Sequence, residues 1–304
     1  GPHGGDGARV AAALGVRADE ILDLSASMNP VAPDVVALVG PHVEALRRYP
    51  DPTVATAALA DAMGVSPDRL LLTNGGAEAI ALVAGALEQG WVEGPEFSLY
   101  ARHLRAVQPD APRWRSDPNN PGGQLAAAAD EGAVWDEAFY PLATGRWTSG
   151  RADRGAVVVG SLTKLFSCPG LRVGYVLGPP GDAGASLIRR LARAQPQWSV
   201  NGLAAAVLPD MLAAADLAGW AAEVRRLRRA LEEALTAVGL CPCPSDANYL
   251  LVPGAAGLRD RLARRGVVVR DCASFGLPGH VRIAVPDDRG RARLLEAIAA
   301  SVSR

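Results

Sequence analysis

Residues 155–177 are GAVVVGSLTKLFSCPGLRVGYVL, and this stretch decides the fold. Two apolar runs, GAVVVG and RVGYVL, have the length and composition of buried strands. Between them lies a polar turn that carries two hydroxyls, Ser161 and Thr163, and the amine of Lys164. In an open α/β sheet, ligands bind beyond the carboxyl ends of the strands. The stretch therefore predicts an α/β protein with a ligand site at this turn.

Outward from this turn, short apolar runs alternate with helical patterns along the chain, which favours the α/β class. The pattern predicts strands at 69–73, 132–135, 155–160 and 172–177, helices at 8–15, 53–63, 77–89 and 201–239 with a break at Pro209, a loop at 109–123, and mixed strands and helices over 240–304. We expect an N-terminal arm (1–28), a large domain (29–205) with a mostly parallel central sheet, and a smaller C-terminal α+β domain (206–304).

Composition excludes several classes of function. The formal net charge is -1, so the chain has no basic surface for nucleic acid and no polybasic arm for a membrane. No apolar run reaches the roughly 20 residues that a membrane span needs. Four cysteines do not make a disulfide scaffold, and the scattered cysteines and histidines have no spacing typical of a metal site. We expect a cytoplasmic protein without a metal, and a small-molecule substrate.

Lys164 is the only lysine among the 31 basic residues. An alanine- and arginine-rich chain that keeps one lysine indicates a role that arginine cannot fill, although retention by chance remains an alternative. Arginine stays protonated, whereas a lysine with a lowered pKa is a nucleophilic amine that forms Schiff bases.

Two further strand ends carry polar residues toward the same edge of the predicted sheet. Asn74-Gly75-Gly76 opens a helix, whose free backbone N–H groups suit a phosphate, although a simple turn has the same pattern. Asp136 ends the GAVWD run, where an acid needs a partner or serves as a helix cap.

Taken together, these groups match the chemistry of one cofactor. Two hydroxyls and Arg172 suit a phosphate dianion, Lys164 suits an aldehyde, and Asp136 suits a ring nitrogen. Pyridoxal 5′-phosphate carries all three features. The sequence therefore predicts a pyridoxal-phosphate enzyme.

The ordered motifs resemble the class I/II aminotransferase superfamily, fold type I pyridoxal-phosphate enzymes, nearly end to end. The likeness is greatest to the group of threonine-phosphate decarboxylases and histidinol-phosphate aminotransferases. The motifs are HGGD, LSASMNP, RYPDP, TNGGAEAI, DPNNPGG, WDEAF, SLTKLF, PGLRVGY, QWSVN, PSDANYLLV and VVRDCASFGLPGHVRIAV.

The resemblance implies a role for each matching position. Lys164 carries the cofactor and moves the substrate proton, Asp136 pairs with the ring nitrogen, Asn120 binds the phenolate oxygen, and Phe97 stacks on the ring. The phosphate is held by Gly76, Ala77, Ser161, Thr163 and Arg172, joined by Tyr49 from a neighbouring subunit, which implies a homodimer with shared sites. The substrate contacts are Arg282 for the carboxylate, Asn29 near it, and Arg270 and His3 for a substrate phosphate.

Three features favour decarboxylation of a phosphorylated amino acid, as in cobalamin side-chain synthesis: the HGGD start, Arg270, and Phe139 where many aminotransferases have tyrosine. An aminotransferase of the histidinol-phosphate type is the first alternative, and a non-catalytic relative that binds the cofactor is the second. The chain is also short between residues 100 and 135, so we expect part of the sheet edge or of the substrate wall to be absent.

Overall fold

A computed structural model describes residues 4–302 of the chain. Eleven strands are assigned in this part: β1 (Leu22–Leu24), β2 (Leu70–Asn74), β3 (Gln89–Val92), β4 (Ala106–Val107), β5 (Arg113–Ser116), β6 (Val134–Asp136), β7 (Val157–Ser161), β8 (Val173–Leu177), β9 (Tyr249–Val252), β10 (Val267–Asp271) and β11 (Val281–Ala284). The helices are α1 (Gly7–Leu14), α2 (Val35–Val39), α3 (Thr53–Met63), α4 (Gly75–Leu87), α5 (Leu99–His103), α6 (Tyr140–Thr144), α7 (Leu162–Leu165), α8 (Gly181–Ala194), α9 (Gly202–Ala213), α10 (Leu217–Ala237), α11 (Leu258–Ala263) and α12 (Asp288–Val302).

The larger sheet has seven strands in the order β2-β8-β7-β6-β5-β3-β4. Only β8 runs antiparallel to its neighbours, so the sheet is mostly parallel, as predicted. The carboxyl ends of β2, β6 and β7 therefore meet at one edge. Because β8 is reversed, its beginning after Arg172 lies at that same edge. The three polar strand ends of the sequence thus face one crevice, as the α/β pattern predicts.

The smaller sheet has the order β1-β10-β11-β9. Strand β1, from the N-terminal arm, pairs in parallel with β10, and Leu22 lies opposite Val267. The arm thus contributes a strand to the smaller sheet. Pairing with β10 satisfies the backbone groups of β1, and Leu24 is buried in the core of this sheet.

The sequence pattern predicts the boundary between the large and the small domain at residue 205. In the structure, the core of the large sheet extends beyond that residue. Helix α9 packs into the core of the large sheet with Val207, Leu208 and Met211. Helix α10 then contributes to both cores: Val224 belongs to the large one and Leu227 to the small one. A long amphipathic helix that spans two cores leaves no change in pattern at the boundary.

Two local predictions were wrong. Helix α9 continues through Pro209, and the break falls after Ala213, where Asp216 caps α10 by accepting from the backbone N–H of Gly219 at 2.9 Å. The segment assigned as loop contains β5, whose sequence, RWRS, has one apolar residue and lies between prolines. Strand pairing on both sides of β5 outweighs its polar composition.

The shortened region lacks a helix rather than a strand. The crossover from β5 to β6 contains no helix in the structure, although parallel strands are usually joined by one. Two arginines of β5 pack on tryptophans of neighbouring strands: the guanidinium of Arg113 lies 4.5 Å from the ring centre of Trp91, and that of Arg115 lies 5.1 Å from the ring centre of Trp135. The sheet nevertheless continues beyond β5 to β3 and β4.

Among residues 4–302, no single helix is long and apolar enough to cross a membrane. Helices α9 and α10 reach that length only as a pair bent by 83°.

Candidate active site

The lysine turn lies between β7 and β8, where the sequence predicts it. Strand β7 ends at Ser161, and the single turn of α7 carries Lys164. The Nζ of Lys164 donates to the carbonyl oxygen of Ala26 at 3.1 Å, which connects the N-terminal arm to the site. The amine lines a cavity of about 160 Å³ between the two sheets.

The surroundings of Lys164 favour its neutral form. Burial lowers the pKa of the amine to about 8, and the positive charges of Arg282, Arg172 and Arg270 add to the effect. Asp136 is the opposing negative charge. A lysine with this pKa is a nucleophile and a base at ordinary pH, which arginine at the same position cannot be.

Asp136 ends β6, and both of its carboxylate oxygens have donors. The hydroxyl of Tyr100 donates to Oδ2 at 2.7 Å, and the backbone N–H of Ala138 donates to Oδ1 at 3.0 Å. Burial raises the pKa of Asp136, whereas these donors and Lys164 oppose the rise. A carboxylate in such a place is stabilised further by a cationic partner.

An anion cradle forms where α4 begins. Gly76 and Ala77 stand in the first turn of this 13-residue helix, so their free N–H groups and the helix dipole suit a phosphate. Gly174 allows β8 to lie close to the start of α4, because a Cβ at this position would lie 2.5 Å from the carbonyl carbon of Gly75. Arg172 lines the same cavity with a backbone φ of 55°.

Two arginines reach the cavity from the smaller sheet. Arg270 on β10 and Arg282 on β11 are direct partners in the strand register, and each is at least 95% buried. The Nη1 of Arg282 donates to Oδ1 of Asn120 at 2.5 Å, while its Nε is buried without a hydrogen-bond partner. Nη2 of Arg270 donates to the hydroxyl of Ser274 at 3.1 Å.

The structure brings most of the predicted site residues to this one cavity. Its walls include Gly76, Ala77, Phe97, Asn120, Asp136, Ser161, Thr163, Lys164, Arg172, Arg270 and Arg282. They come from both sheets, from the turn after β7, and from the loop that follows β5.

Three predicted residues are not part of these walls. Asn29 is buried, but its side chain donates to the carbonyl of Leu165 at 2.9 Å and accepts from the N–H of Val31, so it holds the helical turn of Lys164 instead of facing the cavity. Tyr49 is 79% exposed and packs on Trp198 with ring centres 4.6 Å apart. His3 lies outside the described residues.

Sequence reasoning missed several residues of the site. Ala26 contributes a carbonyl and Phe275 an aromatic wall, while Tyr100 and the buried Glu96 stand behind Asp136. Only Glu96 had a usable signal, because an acid inside the otherwise apolar and small-residue segment GPEFSLY is unusual. No group of three or more potential metal ligands occurs among residues 4–302.

The residues fit the predicted cofactor, pyridoxal 5′-phosphate. The cavity concentrates one amine and three guanidinium groups around a single carboxylate, and the buried Nε of Arg282 has no acceptor. Such an excess of buried donors needs an anionic ligand. The arrangement can hold a phosphate at α4, bind a carbonyl carbon at Lys164, and pair a cationic nitrogen with Asp136.

Comparison with known sequences points the same way. The family model described as aminotransferase class I and II matches residues 124–298. Threonine-phosphate decarboxylase of Salmonella typhimurium is 31% identical, with 97% of this chain and 95% of that protein aligned. Histidinol-phosphate aminotransferase of Symbiobacterium thermophilum is 30% identical, with 93% and 91% aligned. The alignment with the decarboxylase spans 355 positions against 304 residues here, so the relative has segments that this chain lacks.

Solved structures share the fold. L-Threonine-O-3-phosphate decarboxylase from Porphyromonas gingivalis gives a TM-score of 0.80 at 21% identity, covering 93% of this chain and all of that one. Histidinol-phosphate aminotransferase from Sinorhizobium meliloti, in complex with pyridoxal-5′-phosphate, gives 0.83 at 18% identity, covering 97% and 94%. These neighbours and the mostly parallel sheet confirm the predicted fold type I architecture.

Proposed function

The chain belongs to the class I and II aminotransferases, and from that premise we propose that it decarboxylates a phosphorylated amino acid. That it is a pyridoxal-phosphate enzyme follows from the family. The choice of decarboxylation, of the kind used in cobalamin side-chain synthesis, is our proposal. It is supported by the two arginines of the smaller sheet and by the similarity to a threonine-phosphate decarboxylase.

The cofactor is pyridoxal 5′-phosphate, on which the family depends. When bound, it supplies an electron-withdrawing ring that stabilises the negative charge left on a substrate carbon when one of its bonds breaks. We assign its aldehyde carbon to Lys164, its ring nitrogen to Asp136, its phenolate oxygen to Asn120 and its ring face to Phe97. The residues for its phosphate are Gly76, Ala77, Ser161, Thr163 and Arg172.

The chain's own residues control the proton and the substrate. In decarboxylation, the bond from the α-carbon to the carboxyl carbon breaks, CO₂ leaves, and a proton takes its place. Lys164 is the residue suited to deliver that proton, because its pKa of about 8 lets Nζ exist in both protonation states near neutrality. Asp136 would supply the negative charge that keeps the ring nitrogen of the cofactor protonated throughout the reaction.

One observation carries the substrate assignment. Arg270 and Arg282 are register partners on adjacent strands, and both line the cavity that contains Lys164. Two buried cations there favour a substrate with two anionic groups, a carboxylate and a phosphate. Holding both ends fixes the scissile bond relative to the site, which lowers the entropic part of the barrier.

Transamination of a histidinol-phosphate type remains the alternative, because relatives with that name have similar identity. Its phosphorylated amine carries one anionic group, whereas its second substrate, 2-oxoglutarate, carries two carboxylates. A non-catalytic relative is the third possibility, and the retained lysine, aspartate and arginines are evidence against it.

The proposal includes a homodimer and a cytoplasmic location. Six large hydrophobic side chains are exposed on residues 36–54 and at Trp198, among them Tyr49 and Leu46, and a patch of this kind favours a partner surface. A second copy that covers Tyr49 would carry it toward the neighbouring site. The four cysteines are free, as is usual in a reducing compartment.

Mass analysis of products separates the three possibilities. The protein loaded with pyridoxal phosphate is incubated with phosphothreonine alone, and separately with histidinol phosphate and 2-oxoglutarate. Loss of CO₂ from phosphothreonine without a second substrate supports the proposal. Amino transfer that requires 2-oxoglutarate overturns it in favour of the aminotransferase, and bound cofactor with no turnover of either favours the non-catalytic relative. Lys164→Arg is the control for contaminating activity.

A further inference from the structure

Glu96 is a buried acid that the proposed chemistry does not use. It lies between β3 and α5, is about nine-tenths buried, and does not line the cavity. Three groups donate to its carboxylate: the backbone N–H of Ser116 at 2.9 Å, the hydroxyl of Ser116, and the backbone N–H of Phe97. No arginine or lysine pairs with it in these contacts. Burying a carboxylate without a cationic partner costs free energy, so the presence of Glu96 at this buried position needs an explanation.

The hydrogen bonds of Glu96 continue to the cofactor side of the cavity. The Ser116 hydroxyl donates to Glu96 and accepts from the backbone N–H of Asn120 at 2.8 Å. Asn120 in turn accepts from Arg282. A rigid acceptor at Ser116 therefore sets the position of the loop that carries Asn120.

Glu96 also lies beside the acid of the site. Its charge and that of Asp136 repel each other, and Tyr100, which donates to Asp136, lies in the field of both. The charge of Glu96 also acts on Tyr249 of β9. Burial raises the pKa of Glu96 to about 7, and the nearby Asp136 contributes to the rise.

We propose that Glu96 is a positioning residue of the cofactor site, which fixes Ser116 beneath Asn120 and adds a second buried negative charge behind Asp136. This inference rests on the proposed function, because it concerns the same cofactor. Its consequence is electrostatic: at a pH where Glu96 is ionised, two carboxylates on one side of the cavity favour positive charge on the lysine nitrogen and on the ring nitrogen more than Asp136 alone does.

The test measures two properties. The first is the pH dependence of the visible absorbance of the cofactor-loaded protein, and the second is the dissociation constant for pyridoxal phosphate. Glu96→Gln keeps the shape but removes the charge, so the midpoint of the absorbance change should fall by on the order of half a pH unit, and cofactor binding should weaken several-fold. Glu96→Asp keeps the charge and should return the midpoint toward that of the wild type. A purely structural role would make the aspartate variant, whose hydrogen bonds are displaced, no better than the glutamine variant.

Glu137→Gln is the matched control. Glu137 is also buried, accepts from Ser149 and Thr148, and like Glu96 does not line the cavity, but the carboxylate whose charge acts on it is Asp117 and not Asp136. Its loss should lower the melting temperature and leave the midpoint unchanged. A wild-type midpoint in Glu96→Gln, or an equal shift in both glutamine variants, overturns the inference. Wild-type protein that binds no pyridoxal phosphate overturns the proposed function itself, and the inference with it.

Discussion

Arg282 donates from Nη1 to Oδ1 of Asn120 at 2.5 Å, although 162 residues separate the two in the chain. This bond joins the smaller sheet to the loop after β5 across the cavity. It orients the guanidinium before any substrate arrives, and it leaves the buried Nε of Arg282 without a partner. A carboxylate that enters the cavity therefore meets a donor that is already in place, which reduces the ordering cost of binding.

Removal of the two arginines should have different effects on substrate choice. Each charge-assisted contact contributes about 1.5–3 kcal/mol. Arg270→Ala should therefore raise KM for a phosphorylated substrate by about one to two decades, with little change for an unphosphorylated analogue. Arg282→Ala should raise KM for the phosphorylated substrate and for the unphosphorylated analogue alike, because both carry the carboxylate. Steady-state kinetics on the substrate pair measures this.

Arg226→Ala is the control for loss of an arginine, because Arg226 is half-exposed on α10 and pairs with Glu223. It should behave as the wild type. Equal penalties for the two substrates in Arg270→Ala would show that Arg270 does not recognise the phosphate.

Covalent capture of pyridoxal phosphate by the apoprotein should depend on pH through Lys164. Only the neutral amine attacks the aldehyde. Burial and three arginines lower the pKa of Lys164 to about 8, so capture should be slow at pH 6, rise with pH, and level off above pH 9. Stopped-flow absorbance measures the rate. Arg282→Ala removes one of the cations that lower the pKa, so it should move the midpoint to higher pH.

Lys164→Arg should give no covalent adduct at this position after borohydride reduction, as checked by peptide mapping. The chain has no other lysine. A reduced adduct elsewhere in the variant, together with retained turnover, would remove Lys164 from the proposed role.

The charge of Asp136 should matter more than its hydrogen bond to Tyr100. Asp136→Asn keeps the shape but gives the ring nitrogen a neutral partner, so turnover should fall roughly a hundred- to a thousandfold with the fold intact. Tyr100→Phe removes one donor at 2.7 Å but keeps the carboxylate, so its effect should be smaller. Single-turnover rates and circular dichroism of both variants make the comparison, and near-normal turnover in Asp136→Asn would contradict it.

Mixed dimers test the shared site. Tyr49→Phe should weaken cofactor binding, because the exposed Tyr49 is proposed to reach the partner's phosphate site. Mixing Tyr49→Phe with inactive Lys164→Ala protein should restore activity, since one site of each hybrid then has both intact residues. The readout is activity under conditions where subunits are shown to exchange. Absence of recovery would mean that each site is built from one chain.

Local sequence determined much of the fold. The runs around Lys164 predict β7 and β8, and TNGGAEA predicts the start of α4, because strand and helix periodicity and turn residues act over a few positions. The meeting of these ends at one crevice also followed from sequence, since parallel strands in an α/β sheet share one ligand-binding edge. The resemblance supplied the two arginines of the smaller sheet.

Tertiary structure decided the rest. Strand β5 depends on pairing with β3 and β6, and α9 continues through Pro209 because the helix is packed in the core of the large sheet. The position of Asn29 beneath Lys164 depends on a contact across 136 residues.

By itself, therefore, the sequence determined which short segments form elements and which polar groups end up at the ligand-binding edge. Only the tertiary structure decided which distant groups satisfy one another: Arg282 with Asn120, Asn29 with the lysine turn, and Glu96 with Ser116. The physical reason is range. Backbone propensities and hydrophobic periodicity are set by neighbours along the chain, whereas a buried polar group must find its partner wherever packing brings one within hydrogen-bonding distance.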